Sequence, residues 1–128
     1  MSDSIKYNIE FQINSSIIIL YNRLSSASGL ATWFADDVII KDKTYSFFWD
    51  GQKQDANILN SKDNQFIRFK WLDDQETENY FEFKILIDEI TQDLALIITD
   101  FAEDEDDREE QTELWNKQIQ QLKRAIGS

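Results

Sequence analysis

Residues Lys6 to Ile13 alternate cleanly, with Tyr7, Ile9, Phe11 and Ile13 on one side and Lys6, Asn8, Glu10 and Gln12 on the other. Period two over eight residues predicts a half-buried strand. Asn14-Ser15-Ser16 breaks the alternation and supplies helix N-cap candidates. The stretch Ile17 to Leu24 then places Ile17, Leu20, Tyr21 and Leu24 on one helical face. Its β-branched run Ile17-Ile18-Ile19 leaves a strand open as the alternative. Ser25 to Gly29 reads as a break, and Leu30 to Phe34 as a second short helical turn.

From Val38 onward the pattern is that of successive strands. Val38–Ile40 is short. Tyr45–Trp49 carries Tyr45, Phe47 and Trp49 on one face, and Asp50-Gly51 signals a tight hairpin turn. Asp55–Leu59 follows, then a polar turn at Asn60–Asn64. Phe66–Leu72 sets Ile67, Phe69 and Trp71 against Arg68 and Lys70. Asn79–Ile87 sets Phe81, Phe83, Ile85 and Ile87 against Tyr80, Glu82, Lys84 and Leu86. Leu94–Phe101 is apolar on both faces, as expected of a central or doubly covered strand. The chain ends in a long helix with an acidic start, Asp104 to Glu110, suited to the positive end of the helix dipole. Leu114, Trp115, Ile119, Leu122 and Ile126 form its apolar stripe, and Gly127 is its stop signal.

Short connections favour an antiparallel sheet. An apolar sheet face needs cover, and the terminal helix is the element large enough to give it. The expectation is an α+β fold in one domain spanning 1–128. A curved antiparallel sheet wraps around a long C-terminal helix, with two short helices after the first strand.

Composition narrows the function. Neither cysteine nor histidine occurs in the 128 residues. That excludes disulfides and thiolate metal sites, and it removes the commonest general base and zinc ligand. An enzyme is therefore disfavoured, and no cofactor or metal is expected. Net charge is −12, with nine acids and one base between Asp100 and Glu113. This balance argues against nucleic acid. Asp104, Asp106 and Arg108 begin a calcium-loop spacing but break it with a cation. The first 15 residues contain no apolar signal core, and the apolar run Ile17–Tyr21 is too short to span a membrane. The cytoplasm is the default setting.

Four tryptophans, Trp33, Trp49, Trp71 and Trp115, fall on four different elements. Large amphipathic rings on converging elements imply one shared interior. Two readings stay open for it: a solid core, or a cavity lined by Trp33, Phe34, Phe47, Trp49, Phe69, Trp71, Phe81, Phe83, Trp115, Ile119 and Leu122. Possible polar groups of such a pocket are Asp36 with Asp37, Arg68, Thr99 and Asp100.

Leu30-Ala31-Thr32-Trp33-Phe34, Phe47-Phe48-Trp49-Asp50-Gly51, Ile67-Arg68-Phe69-Lys70-Trp71 and Leu114-Trp115 through Leu122, in that order, resemble the START-like superfamily. The nearest branch looks like the Aha-type co-chaperone domain and its bacterial relatives. Relatives often have glycines where this chain has Lys41-Asp42-Lys43-Thr44, and a proline where it has Ser15-Ser16. The resemblance implies a helix-grip fold with a cavity between sheet and long helix, used in many relatives for small apolar ligands. Other relatives bind protein partners. The functions in view are thus a non-enzymatic domain holding a small apolar ligand, or a co-chaperone-like interaction module with a solid core. A homodimer through outward apolar positions such as Tyr80 and Leu86 is also in view.

Overall fold

The computed structural model describes residues 4–128. Strand β1 (Ile5–Ile13) leads into helices α1 (Ile17–Ser25) and α2 (Ala27–Leu30). Six strands follow: β2 (Asp37–Lys41), β3 (Thr44–Trp49), β4 (Gln52–Lys62), β5 (Phe66–Trp71), β6 (Phe81–Ile87) and β7 (Leu94–Ala102). A single 3-10 turn, Leu72–Asp74, precedes β6, and α3 (Glu105–Ile126) closes the chain. All neighbours in the sheet are antiparallel, in the order β1-β7-β6-β5-β4-β3-β2. The sheet curves around α3, as expected. Among the described residues no helix is long and apolar enough to cross a membrane.

Local chemistry explains most boundaries. The Ser16 hydroxyl accepts the Ile19 N–H at 3.2 Å and starts α1, so capping prevails over the β-branched run. The Ser26 hydroxyl accepts the Gly29 N–H at 2.9 Å and starts α2. The expected helical turn at Leu30–Phe34 therefore begins earlier, and residues 31–34 form tight turns instead. Gly29 is a point of helix contact: a Cβ there would meet the Asn22 carbonyl oxygen at 2.4 Å and Arg23 Cα at 2.7 Å. At the β3–β4 turn, Asp50 and Gly51 both have positive φ, 51° and 79°, the pairing that matches the twist of a hairpin. Asp42 takes φ 57° in the β2–β3 turn, filling with an aspartate the place where relatives often have glycine.

Strand β4 is longer than expected. It takes in Asn60–Lys62, read from sequence as a turn, and pairs with β5 past a register shift between Ile58 and Asn60. Helix α3 starts at an Asp104 cap, whose carboxylate accepts the Asp107 N–H at 2.8 Å. It stops at Gly127 in the left-handed region, φ 73°.

The core lies between the inner sheet face and α1, α2 and α3. Phe47, Phe69, Phe83, Leu20, Leu24, Ile119 and Leu122 are fully buried there. Burying each such side chain contributes about 1.5–3 kcal/mol.

Candidate functional site

The interior is packed, with Phe34, Phe81 and Trp115 buried in the core cluster, and a surface cleft borders it at one end. Trp33, Phe47, Phe69, Phe83, Ile119 and Leu122 belong to the packed end. Alongside residues 111–118 of α3 lies a cleft of about 390 Å³. Phe34, Trp49, Trp71, Phe81 and Trp115 line it, together with Leu114, Asp100 and the amides Gln54, Gln111 and Gln118. Strand parity explains the set. Trp49 and Trp71 end their strands on the inner face, whereas Phe81 begins β6 there, so three rings meet at one end of the sheet.

The rings support one another. Trp71 stacks on Phe81 with centroids 4.8 Å apart, and Phe34 lies between Phe81 and Trp115 at 5.7 and 5.8 Å. Trp49 meets Phe34 edge-on at 5.4 Å. The Phe34 carbonyl accepts two bonds, from Trp49 Nε1 at 2.8 Å and from Gln118 Nε2 at 2.9 Å. One backbone oxygen thus ties the α2–β2 loop to both β3 and α3.

Asp100 is the only acid lining the cleft among the described residues. Its register partner is Tyr7, which faces inward on β1. Asp100 Oδ1 accepts the Phe101 N–H at 2.8 Å, and Oδ2 accepts the Trp115 indole N–H at 3.1 Å. Burial pushes its carboxyl up to about 6; those two bonds pull the other way, and the charge of Asp107 adds to the rise. The Tyr7 hydroxyl donates to Gln111 Oε1, and Gln111 Nε2 donates to Asp107 Oδ2 at 3.1 Å. Burial, then the charge of Asp100, also raises the Tyr7 phenol.

The other polar candidates lie elsewhere. Arg68 and Thr99 are on the outer sheet face. There the Arg68 guanidinium pairs with Glu82 at 2.8 Å and sits 4.1 Å over the Tyr80 ring, and the Thr99 hydroxyl donates to Asn8 Oδ1 at 2.8 Å. The sheet separates both from the cleft. Asp36 is at the edge of a neighbouring depression that shares Trp49, Leu114 and Gln118 with the cleft, and its carboxylate accepts the Asp50 N–H at 2.8 Å. Asp37 is exposed and accepts the N–H of Val38. Gln54, Gln111 and Gln118 were not legible as site residues. Gln54 pairs with Phe47 across the ladder, which fixes it on the inner face. Among the described residues no cluster of three or more His, Cys, Asp or Glu is placed to hold a metal ion.

Comparison with known proteins follows this geometry. The START-like superfamily domain matches residues 1–128. The solution structure of BfR322 from Bacteroides fragilis is 38% identical, with a TM-score of 0.70 over 98% of this chain and 92% of that one. The Aha1 dimer from Colwellia psychrerythraea is 18% identical, with a TM-score of 0.79 over 95% and 96%. ChR145 from Cytophaga hutchinsonii is 13% identical, with a TM-score of 0.77 over 99% and 97%. The latter two share the fold alone. Among curated proteins, none matches the sequence.

Proposed function

The chain belongs to the START-like superfamily, and from that premise we propose that it is a non-enzymatic carrier of a small, largely apolar ligand held between sheet and α3. The observation that carries this reading is the aromatic cleft of about 390 Å³. That volume falls within the range of small-molecule pockets, roughly 300–1,000 Å³, and the mix of apolar walls with a few polar groups is the usual one. Binding without turnover fits the lining: among the described residues Asp100 is its one ionisable side chain, with three amides beside it.

Native mass spectrometry of protein purified from its own host tests the reading, paired with displacement of an uncharged fluorescent apolar probe. The expected result is an added mass lost on organic extraction, and a probe released by competing ligand. A clean unliganded mass together with no probe binding would overturn it.

A second reading is a homodimer or protein-interaction module. It draws on the shared fold with the Aha1 dimer and on the β6–β7 hairpin, where Leu86, Ile87 and Ile90 are exposed, Ile90 at 93%. Light scattering across a concentration series tests it, and a monomer at every concentration would remove the homodimer.

A further inference from the structure

The cleft joins five aromatic rings to one carboxylate, and no lysine or arginine lines it among the described residues. Asp100 makes no salt bridge among the described residues. Its two hydrogen bonds come from neutral N–H groups, of Phe101 and Trp115. A half-buried anion with neutral donors alone is undercompensated, and a ligand that displaces water from the cleft makes that worse unless it brings positive charge. The faces of Trp and Phe rings attract cations through their quadrupoles, most strongly where water is excluded. An anionic ligand would meet Asp100 directly, with Asp107 close behind. The net charge of −12 also draws cations toward the protein before they bind.

We propose that the cleft selects ligands bearing an organic cation, a protonated amine or quaternary ammonium on an apolar body. The positive group sits at Asp100 beside Trp115, and the body lies against Trp49, Trp71 and Leu114. This rests on the cleft being a ligand site, and it adds the class of ligand.

Three probes of matched chain length separate the two ideas: octyltrimethylammonium, 1-octanol and octanoate, titrated by calorimetry at pH 8 and low salt. The indole resonances of Trp49, Trp71 and Trp115 report where each probe sits. The cation should bind at least about tenfold more tightly than octanol, and octanoate more weakly than both. Asp100→Asn should bring the cation to within about twofold of the alcohol. Equal binding of cation and alcohol to the wild type overturns the cation preference and leaves the ligand site standing. Tighter binding of octanoate overturns it as well. No perturbation of the indoles by any probe overturns both ideas.

Should Asp100→Asn fail to fold, the wild type provides the same test at pH 5 and pH 8. Neither octyltrimethylammonium nor octanol titrates in that window. Around Asp100, Tyr7 on β1 and Asp107 and Arg108 on α3 are the other charged or titratable groups, and β6 presents only Phe81. Preference for the cation should shrink severalfold at pH 5, where Asp100 is protonated. A preference unchanged between the two pH values, or unchanged in a folded Asp100→Asn variant, would exclude Asp100 as the anchor.

Discussion

Trp115 donates its indole N–H to Asp100 Oδ2 across 3.1 Å, joining α3 to β7 at the edge of the cleft. The bond favours the carboxylate over the carboxylic acid, so it opposes the effect of burial. Trp115→Phe keeps an aromatic ring and removes the donor. The Asp100 carboxyl is then expected to titrate at higher pH than in the wild type, as followed by its carbon resonance. Stability at neutral pH should fall by about 1.5–3 kcal/mol, the usual range for a hydrogen bond to a charged group.

Asp100 also sets a pH dependence whose sign is fixed by its environment. Its carboxyl rises from 3.8 to about 6 on folding, so the folded state holds the proton more tightly than the unfolded chain. Well below pH 3.8 both states are protonated and the group adds no penalty. Between pH 4 and 6 the unfolded chain ionises first, and the group's contribution to stability falls. Above pH 6 the full penalty, on the order of 3 kcal/mol, is present. Asp100→Asn removes this ionisation while keeping an oxygen for the Trp115 indole. Urea unfolding should therefore show the variant matching the wild type at pH 4 and exceeding it at pH 8. A constant difference across that range would contradict the assignment.

Leu114 lines the cleft yet remains 58% exposed, unlike Trp115, Ile119 and Leu122 on the same helix. Leu114→Trp adds bulk to the cleft without touching the packed end. Stability should change by no more than about 0.5 kcal/mol, as for most surface substitutions. Binding of the uncharged fluorescent apolar probe should be lost. Thermal unfolding and probe titration on the same sample check both halves.

Gly29 has no room for a side chain because the α1 backbone at Asn22 and Arg23, together with the Ser26 hydroxyl that caps α2, occupies the space. Gly29→Ala must therefore pry α2 from α1, at a cost of about 1–3 kcal/mol. The strain falls beside Arg23, whose carbonyl accepts the Trp33 indole N–H at 2.8 Å. Equilibrium unfolding should show the loss, and the Trp33 indole resonance should shift even in the folded state.

Much of this architecture is written in periodicity. Inward positions of β1, β3, β5 and β6 follow from alternation, since each of these strands has one wet face. The same alternation places Arg68 opposite Ile67, Phe69 and Trp71, so its outward position was already implied. Thr99 and Asp100 were harder. Strand β7 is apolar on both faces, and parity alone does not say which of two adjacent residues points inward. Register with β1 decides it, because Tyr7 pairs with Asp100 and Asn8 with Thr99. The full length of β4 was hidden for another reason: Gln52–Lys62 has few apolar residues, and its extension rests on ladder bonds from β3 and β5. The cleft itself was not legible. Aromatic residues that fill a core and those that border a space have the same pattern in sequence, and only the tertiary packing of α3 on the sheet separates them.

The placement of β1 beside β7 has a consequence for how the molecule is made. Every other strand pairs with a neighbour in sequence, but Ile13 meets Leu94 and Ile5 meets Ala102. Until those late residues leave the ribosome, the first strand has no ladder, and Ile9, Phe11 and Ile13 have no sheet to join. Non-local pairing of this kind slows folding because a long loop must close first. Strand β1 thus takes its native place only after β7 has been synthesised. In that interval its apolar edge is open to chaperones or to a second nascent chain.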